Sequence, residues 1–411
     1  MRTPALALFA LFSMGHIPAA TLTALYSFTG QNGDGASPYA AVVMGADGSL
    51  YGTTGFGGIY GAGTVFQLTP VSGGWNETVV YSFTGGSDGG YPQSGVIFSA
   101  GGAIYGTTSA GGAAGLGTVF ELTSGPGVWT ETALYSFSGS DGAYPYASVV
   151  LAASGALYGT TELGGALGYG VVFELTPPTV SGGAWTETVL YSFTGGDDGA
   201  FPYAGVAIDG KGDLFGTAAF GGTSQKGTVF KLTPPAKSGG AWTETVLHNF
   251  TGSDGGFPYA GVILGTGGVL YGTTTGGVTA GNGTAFELTP PSTGKVWKET
   301  ILHKFTGGAD GASPHAALTA GPKGTLLGTG LGGGAAPSWN GHGVVFELVP
   351  PSSGGAWTET VPYTFQGGDD GGDPDAPLTA GASGVFYGTS LRGGTAGLGT
   401  VFQVSGPEPR P

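Results

Sequence analysis

One unit of about 55 residues recurs seven times between Leu22 and Val404. A repeat of this size restricts the chain to a stacked or radial array, because a single unit cannot bury its apolar faces and must lean on its neighbours. Three landmarks keep the count. The Phe of an S-F-T-G-like stretch stands at 28, 83, 137, 193, 250, 305 and 365. The ring of a Y-G-T stretch stands at 51, 105, 158, 215, 271 and 387, with Leu327 in its place once. The Phe of T-V-F stands at 66, 120, 173, 230, 286, 346 and 402.

Each unit holds four runs rich in β-branched and aromatic residues. In the second copy these are 96–98, 103–107, 118–122 and 129–137, bounded by Gly, Pro, Asp or Ser. Such punctuation marks short strands. The 89 glycines would suggest low complexity if scattered, but they recur at fixed places in G-G, D-G and Y-G-T and read as turn chemistry. Four strands in each of seven units predict an all-β, seven-bladed β-propeller with four antiparallel strands per blade.

The ends of the repeat favour a closed ring. After Phe402 the chain stops without a fourth strand, while Thr21 to Phe28 matches the fourth strand of the other copies. The N-terminal strand is therefore expected to complete blade 7, giving one domain over 21–405. An open solenoid would need caps instead of complementary part-units. The Pro of D-G-x-x-P precedes the Y-G-T ring position by 13 residues in every copy, and the outer-strand Trp precedes the S-F-T-G Phe by eight in the six copies that have it. Sheet register is rigid, and length variation is left to the rim turns.

The unit D-G-x-x-P-x-A, then L-Y-G-T-T-x-x-G-G-x-x-G-x-G-T-V-F-x-L-T-P-P and W-T-E-T-V-L-Y-S-F-T-G, resembles the Gloeo/Verruco (GloVer) tandem repeat. The resemblance covers nearly all of the chain after the N-terminal segment. It implies a secreted bacterial protein of the "choice-of-anchor" kind and no particular activity. Residues 406–411 read Gly-Pro-Glu-Pro-Arg-Pro with no hydrophobic span after them, so free secretion is the expectation. Arg2, an apolar run from Ala5 to Met14 and small residues up to Ala20 form a secretory signal pattern over 1–20.

Charge narrows the partners. The chain carries a net charge of -15, with only 9% charged residues. Nucleic acid, whose binding draws on cationic contacts to phosphate, is not expected, nor is an anionic membrane surface. With no cysteine, disulfides, thiolate metal sites and Cys catalysis are excluded. No cofactor is expected, and a monomer is.

Residues present in every copy read first as scaffold. Asp34, Asp88, Asp141, Asp198, Asp254, Asp310 and Asp370 of D-G-x-x-P suit turn closure, because Asp accepts local backbone N–H bonds. Their second reading is a ring of carboxylates at one mouth of the channel, attracting a cation such as Ca2+. The six outer-strand Trp read as blade-to-blade packing, and the Glu of W-T-E-T is expected to face solvent. A G-x-G-x-x-G match at 328–333 is the repeat's own glycines run together, with no helix to hold a phosphate.

Departures from the repeat concentrate in copy six. Its second-to-third strand loop is longer, with 19 residues from Leu327 to Phe346 where the others have 15, and it gains Trp339, Asn340 and His342. The residue after the turn Pro is Tyr in four copies but Gln93, His315 and Asp375 in three. Asp310, His315, Trp339, Asn340, His342, Asp373 and Asp375 are therefore candidates for one ligand-binding sector on one face. An imidazole pair with carboxylates suits a metal, and a Trp suits a sugar ring. No G-x-S-x-G, H-E-x-x-H, P-loop or EF-hand motif occurs. The leading expectation is a secreted, non-catalytic binding module for a glycan, cell-surface polymer or protein. A hydrolase or lyase acting on extracellular polysaccharide is the alternative, and a purely structural surface protein the third.

Overall fold

The computed structural model describes residues 20–405 apart from 181, 238, 279–280, 335 and 337–339. The segments expected to be a signal peptide and a tail, 1–19 and 406–411, lie outside the described residues. Seven four-stranded antiparallel sheets form the blades of a β-propeller. In blade 2 the strands from axis to rim are Ile97–Phe98, Ile104–Thr108, Thr118–Ser124 and Trp129–Ser136.

Blade 7 takes its outer strand from the N-terminus. Leu22–Ser27 pairs antiparallel with Thr400–Ser405, in register from Leu22 with Val404 to Ser27 with Thr400. The ring is thus closed by hydrogen bonds between the two ends of the chain.

Three contacts between blades repeat around the circle. The first Thr of Y-G-T sends its hydroxyl to the segment that leads into the inner strand of the next blade, as in Thr217 to the Ala260 carbonyl at 2.8 Å, and Thr389 to Ala40 at 2.9 Å closes the circle. The S-F-T-G Phe meets the T-V-F Phe of the following blade edge-on, from Phe28–Phe66 round to Phe365–Phe402. Each Trp meets the Y-G-T aromatic of the preceding blade, for example Trp185 on Tyr105 at 6.1 Å and Trp75 on Tyr387 at 6.2 Å. Leu327 is the one non-aromatic in the Y-G-T series, and the strand expected to carry its Trp has Ala20 instead. Both lie in one small apolar cluster, so the two substitutions compensate at one interface.

Every third-to-fourth strand pair shifts register once, as between Val119 and Phe120, where Leu134 is the extra residue opposite. A bulge of one residue exchanges the two faces of the strand beyond it. Trp129 and Glu131, before the bulge, face the preceding blade and reach Tyr51 and Asp88. Tyr135 and Phe137, after it, face the following blade and reach Asp141 and Phe173.

Candidate functional site

One face of the ring is built from two kinds of loop. The D-G-x-x-P turns are bridged to the second-to-third strand loops of the same blade, as at Gly90–Ala110, Ala200–Phe220 and Gly372–Arg392. The residue before the Pro is left-handed in every copy, with φ between 47° and 59° at Ser37, Tyr91, Tyr144, Phe201, Phe257, Ser313 and Asp373. Its N–H donates to the preceding blade, as from Phe257 to the Lys226 carbonyl at 2.7 Å. Its carbonyl accepts from the loop of its own blade, as from Thr275 at 3.2 Å. Those bonds hold a conformation that bulky side chains rarely take, and four copies place an aromatic ring there.

Inside this crown, the residue after each Pro forms an inner arc. Tyr146, Tyr203, Tyr259 and His315 follow one another at centroid separations of 5.9, 4.8 and 5.3 Å, and the last pair is stacked within 6° of parallel. His315 Nδ1 lies 3.3 Å from Asp375 Oδ1, an ion-pair distance without hydrogen-bond alignment, since that oxygen accepts no hydrogen bond. Tyr203 donates to Glu162 at 2.6 Å. Burial, the Asp375 charge and, in opposition, Arg392 act on the Tyr39 phenol, whose pKa is raised, so Asp375 also faces blade 1. A second run, Tyr169–Phe201–Phe220–Phe257, lies around the first, with neighbours 5.3 to 5.8 Å apart.

Between the two runs, across blades 4 to 6, is an open groove of about 520 Å3. Phe220, Phe257, Tyr259 and His315 are its aromatic walls and Gly276–Gly277 leave bare backbone, while the Thr275 and Ser313 hydroxyls are buried and donate to the Phe257 and Thr275 carbonyls. Flat apolar rings with a phenol and an imidazole around a cleft of this size suit an amphipathic ring ligand.

The residues singled out from the repeat's departures divide. His315 and Asp375 meet across two blades. Asp373 instead pairs with Arg392 at 3.3 Å. His342 is exposed, and its ring packs over Gly367 in the next turn. Asp310 accepts from Thr306 N–H at 2.9 Å and from His303 at 3.2 Å. Asn340 is exposed, and Trp339 lies outside the described residues.

The seven turn Asp each accept a backbone N–H from three to five residues upstream, at 2.6 to 2.9 Å. Six also bond a forward-facing outer-strand Tyr or His, so His248 and His303 take the place of Tyr. Among the described residues no group of three or more His, Asp or Glu is placed to hold a metal ion.

One expectation fails. The W-T-E-T Glu does not face solvent: it is half-buried between blades, with Oε1 unpartnered in all six copies. The reason is the pleat. Glu stands two residues after a Trp that packs inward, hence on the same face. The aromatic runs were also legible in part, since Tyr follows the turn Pro in four copies and an aromatic precedes it in four. What the sequence does not display is that these positions converge.

The chain matches the family model described as the Gloeobacter/Verrucomicrobia repeat over residues 10–207 and 179–402. No curated protein matches it. Three solved structures are similar in fold. A Thermus thermophilus protein named as an oxidoreductase (glucose dehydrogenase) is 14% identical, with TM-score 0.47, covering 94% of this chain and 99% of its own. A Bacteroides uniformis protein named as a 6-phosphogluconolactonase is 13% identical, with TM-score 0.48, covering 79% and 84%. A luciferin-regenerating enzyme is 13% identical, with TM-score 0.45, covering 76% and 90%.

Proposed function

The chain belongs to the Gloeobacter/Verrucomicrobia repeat family, and from that premise we propose that it is an exported, non-catalytic binding module that takes a glycan in the groove across blades 4 to 6. The observation that carries this reading is the continuous aromatic surface. Tyr146, Tyr203, Tyr259 and His315 run along the inner side, with Phe220 and Phe257 opposite. Holding a large ring at φ 59° costs free energy at Phe257 that a Gly or Asn would not. The turn imposes this φ in all seven copies, and at Phe257 the ring it aims lines the groove. Pyranose rings present apolar faces to aromatic walls and hydroxyls to the Tyr259 phenol and the His315 imidazole. The acidic, cation-poor composition favours a neutral glycan over an anionic one. Export follows from the apolar N-terminal run.

The test is calorimetric titration of a panel of soluble neutral polysaccharides and oligosaccharides, with release of reducing ends followed on the same samples. Binding that weakens about tenfold or more in Phe257→Ala and His315→Ala, with no release of reducing ends, is the expected result. Absence of binding across the panel, or binding indifferent to both changes, defeats the reading. Turnover lost in His315→Ala or His342→Ala would instead support a polysaccharide hydrolase or lyase.

A further inference from the structure

The bulge in each outer strand has a chemical consequence at the blade interfaces. It turns one residue forward and leaves another facing back, and the turn Asp lies between them. At the closing seam these are Tyr26 of blade 7, Asp34 in the turn and Glu77 of blade 1. Asp34 is only 8% exposed, and its Oδ1 accepts no hydrogen bond. Glu77 Oε1 at the same interface is also buried and unpartnered. An ionised carboxylate can only accept hydrogen bonds. Two such oxygens removed from water, with the Tyr26 phenol the one donor named beside Asp34, are a costly arrangement unless one carboxyl group carries a proton.

The facing Glu recurs at five further interfaces, where the turn Asp is itself hydrogen-bonded. Glu131 faces Asp88 and Tyr81, Glu187 faces Asp141 and Tyr135, and Glu244 faces Asp198 and Tyr191. Glu299 faces Asp254, which is bonded to His248, with Lys304 of its own strand opposing, and Glu359 faces Asp310, which is bonded to His303. All five have a buried, unpartnered Oε1. The seventh interface substitutes Leu22, which sits in an apolar cluster.

We propose that the blade interfaces are proton-binding sites: a proton resides on the Glu–Asp pair at the Asp34–Glu77 seam and at the five equivalent interfaces, and its loss loosens the ring. Burial first, and the Asp charge second, push each of the six Glu up from 4.5 to about 7. A carboxyl group that holds its proton more tightly folded than unfolded stabilises the fold most below its unfolded pKa. That contribution declines as pH rises from about 4.5 to about 7 and is gone above. The device tightens the ring in mild acid and relaxes it in alkali.

The test is calorimetry of the full chain between about pH 5 and 8.5, spanning the titration, with Glu77→Gln as a neutral isostere and Glu77→Leu as the residue the seventh interface already uses. Carbon-13 glutamate labelling with infrared detection reads the proton itself. The expected results are a wild-type Tm that falls as pH rises and a protonated-carboxyl band at about pH 6 that bleaches with a midpoint near 7. Glu77→Gln should raise Tm by roughly 1–3 °C at the alkaline end, leave it nearly unchanged at the acid end, and remove part of the band. Absence of the band in mild acid, or equal effects of Glu77→Gln at both ends of the pH range, overturns the proposal. So does an alkaline Tm that rises with added Ca2+ in wild type but not in Glu77→Gln, which would put a cation where the proton is proposed. If Glu77→Gln does not fold, Glu77→Leu and the wild-type band carry the same decision.

Discussion

The glycine of Y-G-T offers a sharp test of how the blades are packed. Gly159 lies opposite Phe173 on the neighbouring strand. A Cβ on Gly159 would sit 2.5 Å from Phe173 Cζ, 2.9 Å from its Cε1 and 3.2 Å from Val149 Cγ1. Carbon atoms rest at about 3.5–4.0 Å, so the ring must retreat by about 1 Å. It has little room: Phe173 is fully buried, and Phe137 of blade 2 meets it edge-on at 5.1 Å. Overpacking of this kind costs about 1–3 kcal/mol. Replacing a strand glycine returns about 0.5–1 kcal/mol of backbone entropy. Gly159→Ala should therefore destabilise by about 1–2 kcal/mol, read as a lowered urea midpoint at unchanged slope. Phe173→Leu should relieve the clash, so the double variant should fall short of the sum of the singles by about 1 kcal/mol. A Gly159→Ala variant within about 0.5 kcal/mol of wild type, or strictly additive singles, would refute the claim that the Phe fixes the Gly.

Other interfaces give independent checks. A double-mutant cycle between Trp185 and Tyr105 should return a coupling of about 0.5–1.5 kcal/mol, while replacing Leu327 with Tyr should gain nothing with Ala20 opposite it. Thr217→Val removes the 2.8 Å hydroxyl bond to the Ala260 carbonyl inside the ring and should cost about 1 kcal/mol or more in chemical denaturation. Burial holds the His248 imidazole below its ordinary range despite Asp254, so its contribution falls as pH drops past the unfolded value near 6.5. His248→Tyr, the residue of other copies, removes this opposition and should enlarge the gain in Tm on acidifying from about pH 7 to 5. Asp141 is pushed up by burial but pulled further down by bonds from Tyr135 and Ser138. Its contribution is present above about pH 4 and lost below, and Asp141→Asn should remove that loss while lowering Tm near neutrality.

The sequence by itself determined the number of blades, the four strands in each, the closure by the N-terminal strand and the packing role of the Trp series. These follow from local matters: a fixed period, invariant spacings, turn residues and complementary part-units at the ends. It also marked His315 and Asp375 as departures from the repeat. Only the tertiary structure decided which of the marked residues meet. His315 and Asp375 are 60 positions apart in sequence and come together because adjacent blades bring equivalent positions to one rim. The same geometry sends His342 over Gly367 and commits Asp310 to its own turn. The inward Glu was legible from its distance to Trp, and preference for charge at the surface argued the wrong way. The forward-facing Tyr was not legible, because it depends on one extra residue in the outer strand. A bulge reverses every side chain beyond it, and nothing in the local pattern announces it until the neighbouring strand is in place.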